Sequence, residues 1–157
     1  TGNNEGFLPI GKNNIRTYTY FTGEYDGGGY SINNLTINRP STNKYIGLFG
    51  QTQGATIRNL GVTNDNITGS SWVGSLVGIA RSTTIDNCSV SGSVTASSTY
   101  LGGLVGFISN STIRNSYSTA SVDSGGGSSI GGLVGYITET TILNSYSTGS
   151  VVATGTG

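Results

Sequence analysis

LGGLVGFISNSTIRNSYS, running from Leu101 to Ser118, returns almost unchanged as IGGLVGYITETTILNSYS from Ile130 to Ser147. Working outward, WVGSLVGIARSTTIDNCSV from Trp72 and YIGLFGQTQGATIRNLGV from Tyr45 are the same unit with drift, and FTGEYDGGGYSINNLTI from Phe21 is a weaker relative. Self-similarity at a fixed period of about 28 residues is the signature of a repeat architecture. Aligned on isoleucine, the units place Ile32, Ile57, Ile85, Ile113 and Ile142 in one column, with steps of 25, 28, 28 and 29. Asn34, Asn59, Asn87, Asn115 and Asn144 follow two places later, and Val94, Val122 and Val151 keep the same spacing.

Within each unit, apolar and β-branched residues alternate with small polar ones and glycines punctuate every few positions, which reads as short strands. A helix would lose about 1 kcal/mol at each glycine relative to alanine. Units this short bury their apolar side chains only by stacking on one another. The expected fold is therefore all-β, a right-handed parallel β-solenoid of about five coils. The units span residues 21–44, 45–71, 72–100, 101–129 and 130–157, and residues 1–20 form an N-terminal cap in which Phe7, Leu8, Pro9, Ile10 and Gly11 cover the first coil. At a coil spacing of roughly 4.8 Å the body is a squat stub about 24 Å tall. SVVATGTG at the C-terminus brings no charge or proline to blunt a sheet edge, so more coils or another molecule are expected to stack there.

Composition narrows the function. Seven basic and seven acidic side chains cancel, leaving no basic patch for phosphates, so nucleic acid is not an expected partner. The single Cys88 rules out an internal disulfide framework. No starting Met, no charged-then-apolar leader and no run of 18 apolar residues is present, which suggests a fragment or processed form without a membrane span among these residues. There is no histidine, and Glu5, Glu24, Asp26, Asp65, Asp86, Asp123 and Glu139 fall in no common column, so neither catalysis nor a carboxylate pair is expected. Asp26 lies in a glycine-rich turn without the spaced carboxylates of a calcium loop, so no metal or other cofactor is expected. The sequons at Asn34, Asn66, Asn87 and Asn110 are explained by the abundance of Asn, Ser and Thr.

The Gly-Gly-Leu-Val-Gly runs with Ile-x-Asn-Ser-Tyr-Ser-Thr downstream resemble the GLUG motif family of bacterial and archaeal surface proteins, over about residues 21–152. Pro9-Ile10-Gly11 and Phe21 to Gly27 look like the lead-in that precedes such repeats. The resemblance implies an extracellular β-solenoid inside large multidomain proteins, haemagglutinin-like adhesins among them, and implies no reaction.

The isoleucine column is expected to be core, and the asparagines to form corners with a left-handed backbone and a side-chain ladder. A corner flips strand parity, so Leu60, Cys88, Ser116 and Ser145 point inward, and Tyr117 and Tyr146 point outward as a two-ring strip. These two tyrosines are the candidate ligand-binding residues, for a carbohydrate or protein surface. Arg58, Asp86, Arg114 and Leu143 share a column whose alternating charges favour this register. Thr56, Thr84, Thr112 and Thr141 lie on the same face, where an ice-binding surface is spoiled by the charges between them. The leading expectation is a structural and adhesive module. The rivals are a subunit that self-associates into filaments through its open edge, and a carbohydrate-binding or carbohydrate-cleaving solenoid, with an ice-binding solenoid as a weaker alternative.

Overall fold

The computed structural model describes residues 4–11, 19–40 and 44–154. Its described residues form parallel ladders without a helix, and each coil returns to the same rungs. The second coil sets the pattern. Strand β1 (Lys44–Ile46) leads through a tight arch to β2 (Phe49–Gln53), and Gly54 turns the chain into β3 (Thr56–Gly69). In the next coil Ser71–Val73, Val77–Arg81 and Thr84–Ala96 pair with these three in parallel, and two further coils repeat the arrangement. The chain is thus a β-solenoid of about five turns, and each turn has the length of the sequence repeat.

Register follows the apolar columns. Ile57, Ile85, Ile113 and Ile142 are direct partners, as are Val94, Val122 and Val151. Ile57, Ile85 and Ile113 are fully buried, and Ile142 is half-buried on the outermost coil. Ile32 does not belong to this column. Tyr25 takes that place opposite Ile57, while Ile32 pairs with Val62. The cause lies in a pattern that occurs twice in the second coil. Ile57-Arg58-Asn59 and Val62-Thr63-Asn64 are both an apolar residue followed two places later by a left-handed asparagine, with φ of 54° and 52°. Asn34, with φ 58°, accordingly matches the second corner, and its N–H donates to Thr63 O at 2.9 Å. Two extra residues in the first coil around Gly28 and Gly29 swing Tyr30 out into solvent.

The lead-in bonds to the first coil at Phe7 and to the second coil at Ile10. Phe7 N–H donates to Thr36 O, Ile10 N–H donates to Leu48 O, and Gly50 N–H donates to Ile10 O. Ile10 and Phe21 thereby occupy the rung below Phe49 and Thr52. Glu5 pairs with Arg39, whose side chain is almost fully covered.

The Gly-x-Leu-Val-Gly signature has a steric origin. Where the first strand of each coil arches into the second, the two backbones pass so closely that no side chain fits between them. A Cβ on Gly106 would stand 2.6 Å from Val73 N, 2.7 Å from Trp72 C and 2.8 Å from Gly78 O, all rigid backbone atoms. Overpacking of this kind costs on the order of 2 kcal/mol or more. Gly106→Ala is therefore expected to lower the urea midpoint clearly, whereas Gly125→Ala, whose Cβ meets only Ala96 O at 3.9 Å, is expected to leave it unchanged.

The inward position after the asparagine corner also has a physical logic. Ser116 Oγ accepts from Cys88 N–H at 3.1 Å and donates to Arg114 O at 2.8 Å. Ser145 Oγ repeats this with Ser116 N–H at 3.1 Å and Leu143 O at 2.8 Å. Serine here satisfies a backbone donor of the preceding coil at the bend. Cys88 is buried, which pushes its thiol up to about 11 and leaves it unreactive at neutral pH.

Candidate functional site

Asparagine tolerates the left-handed corner better than other side chains with a Cβ, because its short amide bonds locally. Asn59, Asn87, Asn115 and Asn144 all take φ between 48° and 54°, which lines their amides up along the solenoid axis. Asn59 Nδ2 donates to Asp26 Oδ1 at 3.0 Å, Asn87 Nδ2 to Asn59 Oδ1 at 2.9 Å and Asn144 Nδ2 to Asn115 Oδ1 at 3.4 Å. The ladder breaks once. Asn115 Nδ2 turns to Asp86 Oδ1 at 3.0 Å, so Asn87 Oδ1 has no donor among the described residues.

The two carboxylates that flank the ladder are held as anions. Gly28 N–H first, then Asn59, keep Asp26 below the usual carboxylate range. Burial pushes Asp86 up, but Asn115 and Arg114 more than offset it, and its net shift is downward. The expected charge column is in register as Arg58, Asp86, Arg114 and Leu143. Arg114 meets Asp86 at 2.8 Å, while Arg58 turns to the first coil and meets Glu24 at 2.6 Å and Asp26 at 3.1 Å. The threonines align as Thr56, Thr84, Thr112 and Thr141.

Past the corner, Ser31, Gly61, Ser89, Tyr117 and Tyr146 share one outward column. Tyr117 and Tyr146 are both exposed, and their rings stack with centroids 5.2 Å apart and planes within 5°. In the coils before them the column shrinks to Ser89 and Gly61. The missing bulk leaves a groove of about 180 Å³ that runs from Gly29 and Ser31 up to Tyr117 and is bordered by Asn59, Asn87 and Asn115. The sequence reading found the tyrosines but not the groove, which is made by small residues one period apart on neighbouring coils.

A second aromatic surface was also missed. Tyr45, Trp72 and Tyr100 stand at successive coil corners with φ of 67°, 52° and 64°, and their rings follow one another at 5.1 and 5.6 Å. Tyr100 meets Phe107 and Tyr136 edge-on, and those two stack at 5.5 Å. Lys44 sits over Trp72 and Arg81 over Phe107. Ile79, in the same column as Phe107, is fully buried, so this strip works as a roof over the outer face of the second-strand ladder. The near-equal steps between Tyr45, Trp72 and Tyr100 were the available signal.

The GLUG motif model matches three stretches, residues 69–95, 97–123 and 126–152, together just over half of the chain. The chain belongs to the GLUG motif family. The structure carries the same coil beyond the matched stretches, since β3 pairs along its length with the first matched unit. Of the GLUG chain's site residues, Asn87, Ser89, Tyr117 and Tyr146 fall inside matched repeats, and Ser31, Asn59 and Gly61 lie before them. The chain is also similar to Halomucin of Haloquadratum walsbyi (strain DSM 16790 / HBSQ001), with 39% identity over 78 residues. That match takes in 47% of this GLUG chain and 1% of Halomucin, so the chain corresponds to a very small part of that relative. No solved structure matches the chain.

Proposed function

We propose that this chain is a non-enzymatic structural and adhesive repeat module of an extracellular or cell-surface protein. The observation that carries the reading is the joining of a stiff scaffold to an outward recognition column. Parallel ladders run through the coils, and the stacked Tyr117 and Tyr146 project from them beside a groove lined by amides and hydroxyls. Exposed rings paired with convergent polar groups are what a binding surface requires. Membership of the GLUG family and similarity to part of Halomucin support a repeat module over a catalyst. Among the described residues no three His, Cys, Asp or Glu side chains come together as a metal site would require.

The test is retention of protein-coated beads under flow on immobilised neutral and acidic polysaccharides. Wild-type beads are expected to be held on at least one surface, and Tyr117→Ala with Tyr146→Ala to release them while the folded spectrum is kept. Equal retention of the double variant would remove these tyrosines from the site.

Self-association is a second reading, favoured by the outer face of the fifth coil, where Ile137, Leu143, Val151 and Val152 are exposed. It commits to a second copy of this chain stacking on that face. Light scattering over a concentration series decides it, with growth supporting the reading and a constant monomer mass ending it.

A further inference from the structure

The groove carries more detail than the adhesive reading uses. Tyr146 covers one face of the Tyr117 ring, and the other face looks down the column toward Ser89 and Gly61, where two rungs hold almost no side chain. A flat ring placed over Ser89 would be the third member of the stack. Beside that place stands Asn87 Oδ1, the acceptor left free where the amide ladder breaks, and the hydroxyls of Ser89 and Ser31 point from the same column. No charged side chain lines the groove, and the carboxylates of Asp26 and Asp86 beside it on the amide ladder are each paired with an arginine, Arg58 and Arg114.

We propose that the groove binds one neutral pyranose residue, seated over Ser89 with its apolar face on the free side of Tyr117. This proposal rests on the adhesive reading of the same column and names its ligand. A pyranose presents what the groove lacks. It has an apolar face of C–H groups for the tyrosine ring, and equatorial hydroxyls that donate to Asn87 and exchange bonds with the serines. An acidic sugar would bring its carboxylate into a groove lined by no cation, beside carboxylates that already hold Arg58 and Arg114, and lose by unpaired desolvation. The volume of about 180 Å³ holds about one ring, which sets the single pyranose residue as the unit recognised.

The test is a nuclear magnetic resonance titration of the 157-residue chain with methyl glucoside, methyl galactoside and methyl mannoside, with glucuronate as the charged control. At least one neutral glycoside is expected to shift the Tyr117 ring signals saturably in the millimolar range, with smaller movement of Tyr146, and glucuronate to bind at least tenfold more weakly. Ser89→Tyr fills the notch with a third ring at a position where the next two coils already carry tyrosine, so it is expected to fold and to weaken binding at least tenfold. Ser89→Ala, which keeps the notch and removes one hydroxyl, is expected to weaken binding less than Ser89→Tyr does. The proposal is overturned by unshifted Tyr117 signals with every neutral glycoside, by glucuronate binding as well as the neutral sugars, or by undiminished binding to Ser89→Tyr. If the sugars leave the signals unmoved while beads are still held through Tyr117, the ligand class alone is wrong. If the beads are never held, the adhesive reading itself fails.

Discussion

Ile85→Ala is expected to destabilise the fold by about 4 kcal/mol, read as a lower midpoint in urea unfolding. Ile85 is fully buried at the centre of the column, between Ile57 on one coil and Ile113 on the other. Deleting its outer carbons opens a cavity that rigid ladders on both sides cannot close, so the cavity cost adds to the lost transfer energy. The column supplies an internal control. Ile142 has a coil on one side only and is half-buried, so Ile142→Ala is expected to cost about half as much. Equal losses at the two positions would mean that stability is not built from neighbour-to-neighbour stacking.

Asp65→Asn is expected to act in the opposite direction and stabilise the protein at pH 7 by up to about 3 kcal/mol. Asp65 sits at the bulge where β3 slips its register against Gly92, and its side chain is buried. Burial pushes its carboxyl up to about 6, and the Ser75 hydroxyl and Ser93 N–H, the latter at 3.1 Å, offset this only in part. The unfolded chain releases this proton near 3.8, so between about pH 4 and pH 6 the native state holds more protons than the unfolded state. Stability therefore rises as the pH falls from 6 toward 4 and is flat above that window. Asp26 and Asp86 have lowered pKa values, so their stabilisation is lost only below 3.8, outside it. Asparagine keeps the acceptor for Ser93 N–H and removes the buried charge. Thermal unfolding of both proteins at pH 4, 5, 6 and 7 should show the gain at pH 7 and its disappearance at pH 4. A variant that is no more stable at pH 7 would refute the assignment.

How much of this was legible in the sequence depends on whether a feature repeats. Ile57, Ile85, Ile113 and Ile142 repeat in identity and spacing, so fold, register and the outward direction of Tyr117 and Tyr146 could all be read. The first coil was misaligned because Ile32-Asn33-Asn34 resembles both asparagine corners of the second coil, and only pairing with Val62 chooses between them. The step from Ile32 to Ile57, shorter than every later step in the column, was the sign of that slip. Tyr45, Trp72 and Tyr100 stayed hidden because bulky residues rarely take a left-handed corner, so propensity argues against the positions they occupy. The groove stayed hidden for a different reason. It is an absence of side chains at Ser89 and Gly61, and it acquires meaning only when the coils on either side are in place.

All of this rests on neighbouring coils lying in register, Thr84 against Thr112 and Thr112 against Thr141, and spin labelling tests that most directly. Nitroxides would be placed on these three threonines, singly and together, in a Cys88→Ser background that uses the residue the next two coils carry at that position. The labels on adjacent coils then stand about 4.8 Å apart, and the triple-labelled protein should give a strongly broadened, exchange-coupled spectrum. A spectrum equal to the sum of the three single labels would contradict the stacking.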